Sequence, residues 1–213
     1  MKKIPHVFIS STYEDLKEER LAVKEGVLRA DCFPVGMEYF PSSPKSPWKV
    51  IENAISECDF YVLIVAGRYG SIDKETGISY TEREFNYAVG KKIPILIFMT
   101  PDIEELSEDK IDDHEKIKRF REKLLDSDHF VKKYKNIDNL EAEVQKALLT
   151  AVQELIDNNE RSEYERLYDH FNSLVDFLQK QIDSLAEASI TTTVNLADTN
   201  ERIRELKKTN NLQ

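Results

Sequence analysis

The chain has 213 residues, of which 40% are hydrophobic and 33% are charged, and its formal net charge is -10. This composition is typical of a globular protein with a sizeable core, and its acidity opposes direct binding to the phosphates of nucleic acids. No run approaches the roughly 20 apolar residues that span a bilayer, and no signal-type segment opens the sequence, so we expect a cytoplasmic protein without membrane contact.

The cysteines predict neither a disulfide framework nor a metal site. Cys32 and Cys58 form no Cys-x-x-Cys pair and have no neighbouring histidine, as a zinc site would require. We therefore expect both to be core residues, and we expect no resident cofactor.

The first third of the chain predicts two strands and two helices. The segment from His6 to Ile9 reads as a strand, and Ser11 or Thr12 offers an N-cap for the helix that follows. A second strand is predicted between Cys32 and Met37, near a sheet edge because of its proline.

A loop rich in proline and serine precedes the second predicted helix. The stretch from Phe40 to Pro47 predicts an exposed loop, and Ser46 followed by Pro47 forms an N-cap and first-turn pair. Trp48 then begins the apolar stripe of the helix, so we expect it to be a core residue.

The most apolar segment, Phe60–Ala66, predicts a strand that is buried on both faces, as in parallel sheets. A helix that begins near Ser79 follows it. Later elements are predicted at Lys91–Phe98 (strand), Asp112–Leu125 (helix), Phe130–Val131 (strand) and Leu140–Leu155 (helix), with an acidic loop at Thr100–Lys110. Because strands and helices alternate, we predict a flavodoxin-like α/β domain over residues 1–157, with a five-stranded parallel sheet in the order 2-1-3-4-5 and helices on both faces.

Residues 158–213 have a different pattern and predict a helical extension. Apolar residues recur there every seven positions, a spacing typical of a helix that packs along a partner surface. These residues are Tyr164, Phe171, Leu178 and Leu185, with Leu167 and Leu174 between them. The partner surface is either the domain itself or another chain. From Thr191 onward the polar tail predicts a linker or a frayed helix.

Topology places a candidate site at the carboxyl ends of the strands, where open parallel sheets bind ligands. Ser79 and Glu82 match a capping box, which assigns Glu82 a structural role. Glu84, two residues later, lies beside the apolar stripe and is the candidate catalytic group. The structural alternative is a polar turn followed by a helix that carries Glu84 on its surface.

Several segments together resemble a TIR-like domain of unknown function, which is found at the amino terminus of bacterial NACHT, other STAND NTPase and tetratricopeptide proteins. The segments are Val7–Leu16, Glu19–Arg20, Arg68–Gly70 and Ser79–Phe85. The resemblance extends well from residue 3 to about residue 98. Nucleoside deoxyribosyltransferases are a more distant resemblance and act on the same class of bond.

The resemblance implies an enzyme, because some TIR domains cleave the nicotinamide glycosidic bond of NAD with a glutamate on the helix after the third strand. Glu84 occupies that position, although Tyr80-Thr81 replaces the Trp-Cys pair that often precedes the TIR glutamate. The implied activity is that of an NAD(P) glycohydrolase or nucleosidase. The implied substrate-binding residues are Ser10, Ser11, Tyr13, Arg68, Tyr69, Gly70, Ser79 and Tyr80.

The resemblance also implies a biological setting. We expect an effector of bacterial antiphage defence that is activated by assembly, through the C-terminal helix and the TIR-like surfaces, with a sensor or STAND-type protein as a further partner. The alternative is a non-catalytic interaction module built from the same surfaces. A flavodoxin-type flavin or nucleotide binder is less favoured, because no glycine-rich loop follows the first strand.

Overall fold

The computed structural model of the chain describes residues 4–39, 46–101 and 110–210, and for residues 39, 188, 190–194 and 206–210 it describes the backbone alone. Most of the predicted loop between Phe40 and Pro47, and most of the acidic loop between Thr100 and Lys110, lie outside the described residues.

The described residues form the predicted five-stranded parallel sheet. Its strands are β1 (His6–Ser10), β2 (Phe33–Val35), β3 (Phe60–Val65), β4 (Ile95–Met99) and β5 (Val131–Lys133). All neighbouring strands are parallel, and their order is β2-β1-β3-β4-β5. The predicted fold class is therefore confirmed.

The central strand β3 is buried along its whole length. It pairs with β1 through Val7 and Phe60 and with β4 through Tyr61 and Ile95. A strand with neighbours on both edges and helices on both faces has no polar side, which explains its unbroken apolar sequence.

In the described part of the chain, five helices accompany the sheet: α1 (Lys17–Arg29), α2 (Pro47–Ser56), α3 (Tyr80–Gly90), α4 (His114–Leu125) and α5 (Ile137–Asn210), with a 3-10 turn at Met37–Tyr39. The predicted start of α2 is confirmed, because the Ser46 side chain accepts a hydrogen bond from the Lys49 amide. The two cysteines are buried, as predicted, and neither is joined in a disulfide within the described residues.

The predicted cap of α1 is wrong. The helix begins only at Lys17, Leu16 stands at the N-cap position, and no side chain caps it. Leu16 is buried, and its amide donates to the Tyr13 carbonyl at 3.4 Å. Ser11 and Thr12 lie in the loop that precedes the helix.

The sheet edges are short. The fifth strand begins one residue later than the predicted Phe130, whose side chain is 82% exposed. At the other edge, β2 has three residues and contains Pro34, in agreement with the preference of proline for edge strands.

The chain divides into two compact units, residues 1–154 and residues 155–213, and the last helix has residues in both. In the first unit, Leu140, Val144 and Leu148 lie at intervals of four and are fully buried. In the second unit, the helix continues through Thr191–Thr193, where the sequence predicted a linker or frayed end. Across the part of the chain that the structure describes, no helix is both long and apolar enough to cross a membrane.

Candidate active site

A cleft of about 740 Å³ opens beyond the carboxyl ends of β1 and β3. These two strands lie side by side, but the chain leaves β1 toward β2 and leaves β3 toward β4. Such a reversal of direction creates the crevice in which doubly wound folds bind ligands. The cleft therefore lies where the topology of the sheet predicts a site.

Glu84 of α3 lines this cleft, and only 2% of its surface is exposed. The Ser10 hydroxyl, at the end of β1, donates a hydrogen bond of 2.5 Å to Glu84 Oε2. Burial raises the pKa of Glu84 to about 7, while the Ser10 hydrogen bond and the Arg20 charge act in the opposite direction. The carboxyl group can therefore both hold and release a proton near neutral pH.

Tyr61 of β3 lies near Glu84 and is completely buried. Burial, together with the nearby Glu84 charge, raises the pKa of Tyr61 well above its usual value. The phenol therefore stays protonated while Glu84 titrates. Neither side chain is exposed. The structural alternative, in which the helix carries Glu84 on its surface, is therefore wrong.

Arg20 of α1 forms hydrogen bonds with three residues at the β1 end of the cleft. Its Nη1 atom donates to the Ile9 carbonyl at 3.3 Å and to Ser11 Oγ at 3.1 Å, and its Nη2 atom donates to Glu38 Oε2 at 2.5 Å. Arg20 was not among the predicted site residues. The available signal was its place in the Glu19–Arg20 segment of the family resemblance.

The loop after β3 forms the opposite side of the cleft. The exposed Asp112 carboxylate accepts hydrogen bonds from the Tyr69 amide at 2.7 Å and from the Gly70 amide at 2.9 Å. Gly70 has a positive φ of 91°, and a Cβ atom at this position would lie 2.9 Å from Thr12 Cγ2. Glycine is thus required both for the turn and for the close approach of the two loops.

Replacement of Gly70 by alanine is expected to lower the free energy of unfolding by about 1–3 kcal/mol, because alanine is strained at this φ. Gly90→Ala is the matched control. Gly90 lies in α3 and a Cβ there would meet nothing within 4 Å, so alanine should be neutral or mildly stabilising. Urea unfolding measures both, and equal stabilities of the two variants would contradict the requirement at Gly70.

Glu82 joins three elements instead of closing the predicted capping box. Ser79 caps α3 by accepting from the Glu82 amide at 3.1 Å, as predicted. The Glu82 carboxylate, however, accepts from the Tyr69 hydroxyl and from Lys123 Nζ at 2.8 Å. Burial opposes ionisation, but the Lys123 and Tyr69 contacts prevail and lower the pKa of Glu82.

Glu82→Gln is accordingly expected to destabilise the fold by about 1–3 kcal/mol, because a buried carboxylate with two partners loses its charge. Loss of the cap alone, in Ser79→Ala, should cost about 1 kcal/mol. Thermal or urea unfolding compares the two variants. A Glu82→Gln protein as stable as the wild type would show that these contacts contribute little.

The structure brings most of the predicted binding residues to one place. Ser11, Tyr13, Arg68, Gly70 and Tyr80 line the cleft together with Glu84. Ser10 lies beneath the cleft as the donor to Glu84. Tyr69 and Ser79 are buried outside the lining and serve Glu82 and the start of α3. The lining residues that were not among the predicted site residues are Thr12, Glu14, Asp15, Met37, Pro47, Ile51, Ser71, Thr81 and Asp112.

Tyr13 is the most open aromatic ring of the cleft. Its side chain is 51% exposed, and Lys17 Nζ and the Arg20 guanidinium lie 5.3 and 5.9 Å from the ring centre. Two cations at cation–π distance restrain the ring and leave it accessible to a flat ligand.

Trp48, predicted to be a core residue, is only half-buried and packs against the edge of the core. The Arg83 guanidinium lies 3.8 Å from the centre of the indole ring and forms an ion pair with the buried Asp73. Asp73 in turn accepts from the Glu75 amide at 3.0 Å. This cluster holds the loop that connects the cleft to α3.

The structural comparisons found similarities at low sequence identity. A CMP N-glycosidase, BcmB, from Clostridium botulinum is 16% identical with a TM-score of 0.42, and the match covers 68% of this chain and 98% of that one. A diflavin flavoprotein A3 from Nostoc sp. is 12% identical with a TM-score of 0.43, and the match covers 76% and 99% of the two chains. A WrbA-like flavodoxin from Agrobacterium tumefaciens is 13% identical with a TM-score of 0.36, and the match covers 71% and 99%. Values of this size do not transfer a function.

Sequence comparison is more specific at the level of the family. No curated protein matches the chain. Residues 6–149, however, match the family model described as a domain of unknown function, DUF4062. This region begins with β1 and includes all five strands and the cleft. The chain therefore belongs to the DUF4062 family.

Proposed function

We propose that this protein is a hydrolase that cleaves the N-glycosidic bond of a nucleotide, either NAD or a related compound, in the cleft at Glu84. The observation that carries the proposal is the Glu84 carboxyl group, which is buried, accepts a hydrogen bond from Ser10 and lines a cleft at the switch point of the sheet. A carboxyl group with a pKa near 7 in such a place is typical of catalytic sites.

The chemistry gives this carboxyl group a defined task. Breaking the bond between C1′ of ribose and the nitrogen of the base leaves positive charge on the sugar ring. The ionised Glu84 carboxylate would stabilise that charge, and its effect is large because this side chain is buried. Water then adds to C1′, its oxygen forms the new bond, and its proton passes to Glu84 or to solvent.

Whether the reaction requires a general acid depends on which base departs. A pyridinium base such as nicotinamide leaves as a neutral molecule when it takes the bonding electrons, so no proton has to be donated. A neutral base leaves more easily when it is protonated, and a carboxyl group with a pKa of about 7 is partly protonated at neutral pH. Both classes of base are therefore compatible with Glu84.

The remaining lining residues suit the other parts of a nucleotide. Arg68 offers a guanidinium group at the cleft, and guanidinium groups bind phosphate oxygens with two parallel hydrogen bonds. Tyr13 and Tyr80 offer aromatic rings against which a base can stack. We assign Arg68 to phosphate and the two tyrosines to the base.

The interaction-module alternative requires no concave site. Glu84 and Arg68 line a common cleft, and this arrangement favours the hydrolase. The role in antiphage defence, the cytoplasmic location, activation by assembly and a sensor or STAND-type partner stay predictions.

The test is a direct assay for free base. The purified full chain is incubated with NAD, NADP, the common nucleoside monophosphates and their nucleosides, and the released base is quantified by chromatography. Protein concentrations up to tens of micromolar should be included, so that a requirement for assembly does not hide activity. We expect one class of substrate to release base faster than a heat-denatured control. Absence of release from every compound would overturn the assignment.

A further inference from the structure

The second compact unit carries an exposed apolar face. Tyr164, Phe171, Leu178 and Leu185 repeat every seven residues along α5, and each is between 51% and 69% exposed. An exposed apolar row of this length is typical of a helix that associates with another surface, because burial of apolar surface is the main source of association energy.

The apolar face is wider than a seam with two apolar positions in every seven residues. Leu167 and Leu174 lie three residues after the first two members of the row, and Tyr168, Val175 and Ile182 lie four residues after its first three members. All five are exposed. Positions separated by three, four and seven residues share one side of a helix, so these side chains form a continuous stripe about 100° wide.

Most charged residues between Tyr164 and Leu185 lie on the side of the helix opposite the stripe. Arg166, Asp169, Asp176, Lys180 and Asp183 occupy positions two or five residues after members of the row. At about 100° per residue, both positions lie on the opposite side of the helix. The stripe can thus be covered without burying these charges, and the acidic character of the chain does not oppose its contact with an identical stripe.

The area of the stripe is sufficient for a stable contact. Its large side chains are all at least 45% exposed. At roughly 100 Å² each, they offer on the order of 800 Å² per copy, which is the contribution of one partner to an interface of standard size.

One polar residue within the stripe indicates which partner covers it. Gln181 lies three residues after Leu178, at the position occupied by Leu167 and Leu174 in the two preceding repeats, and is exposed. A carboxamide carries both donors and an acceptor, so two carboxamides satisfy each other. A fully apolar partner would leave this group buried without a hydrogen bond, whereas polar residues in such seams commonly set register and orientation.

We infer that the segment from Tyr164 to Leu185 associates with the same segment of a second copy of the chain, parallel and in register, so that Gln181 meets its counterpart. This inference is independent of the proposed hydrolase activity. It rests on the stripe, on the placement of most charges on the opposite side of the helix, and on the self-complementary amide.

The mass of the full chain in solution tests the association. The monomer has a mass of 24.8 kDa, and we expect light scattering to give at least twice this value at micromolar concentrations. Phe171→Glu places a charge in the stripe and should weaken association by about a hundredfold or more. Ser173→Glu, two residues away on the charged side, is the matched control and should associate like the wild type.

Two results would overturn the association: a wild-type chain that remains monomeric at tens of micromolar, or a Phe171→Glu variant that associates as strongly as Ser173→Glu. Circular dichroism of each variant confirms that the helix persists. If the stripe instead receives a different protein, the isolated chain remains monomeric, which is the first of these results.

Cysteine cross-linking tests whether the two paired helices run parallel or antiparallel. In a parallel, in-register pair, Tyr164→Cys links to Tyr164→Cys and Leu185→Cys links to Leu185→Cys, because equivalent positions of the seven-residue row face each other. In an antiparallel pair centred on the stripe, a mixture of the two variants gives the mixed product instead. Cys32 and Cys58 are buried in the first unit, so they do not interfere. Predominance of the mixed product would overturn the parallel arrangement.

Discussion

Glu84→Gln is expected to reduce base release by about 10²–10⁴-fold, measured with whichever nucleotide the wild-type protein cleaves. Glutamine keeps the size of the side chain and can still accept the Ser10 hydrogen bond. It cannot carry the negative charge that stabilises the ribosyl cation, nor take a proton from the attacking water. The loss should appear in kcat and leave KM nearly unchanged, because the charge matters most in the transition state.

An exposed carboxylate supplies the matched control for this experiment. Glu122 lies on α4 and is exposed to solvent, so Glu122→Gln makes the same chemical change outside the cleft. It should retain wild-type activity. If Glu84→Gln releases base at the wild-type rate, Glu84 is not the catalytic group and the assignment of the cleft fails.

The same substitution should raise stability at alkaline pH. The pKa of Glu84 is about 7 in the folded protein, against a usual value of 4.5. The folded state therefore binds a proton more tightly than the unfolded state does, and the associated stability is present below pH 4.5 and lost as the pH rises through 7. A pKa difference of this size corresponds to roughly 3 kcal/mol. Glu84→Gln should thus exceed the wild type in stability at pH 8 by up to about 3 kcal/mol, and by little at pH 5.

Glu82→Gln is the internal comparison, because its pH dependence has the opposite sign. The pKa of Glu82 is lowered in the folded state, so its contribution is present above the unfolded pKa and is lost as the pH falls through the folded value. This variant should be less stable than the wild type at pH 8, and the deficit should shrink in acid. Urea unfolding at several pH values measures both variants. A stability difference between Glu84→Gln and the wild type that stays constant from pH 5 to pH 8 would contradict the burial of a charge at Glu84.

Patterns of short range in the sequence predicted much of this fold correctly. The continuous apolar run of β3 indicates burial on two faces, and the alternation of strands and helices indicates parallel pairing. Ser46 and Ser79 cap their helices, because a cap depends on a few adjacent residues. Even the place of the cleft follows from the order of the strands, without knowledge of any side-chain contact.

The partners of individual side chains did not follow from such patterns. Glu82 and Glu84 are two residues apart, yet one contacts Lys123, 41 positions away, and the other contacts Ser10, 74 positions away. These pairings depend on the packing of α3 against α4 and against the end of β1. Local spacing can indicate that the two glutamates differ, but it cannot assign their partners or the depth of Glu84.

The missing side-chain cap on α1 has a consequence for how this protein could diversify. Because no hydroxyl of residues 11–15 is committed to capping the helix, the rim segment that contains Tyr13 can change its sequence without unravelling α1. The cleft floor, where Ser10 and Glu84 meet, belongs to a strand and a helix instead. Relatives could therefore acquire new ligand preferences by drift in this rim while they keep the same reaction. Exchange of residues 11–15 between relatives would be a compact way to retarget the cleft.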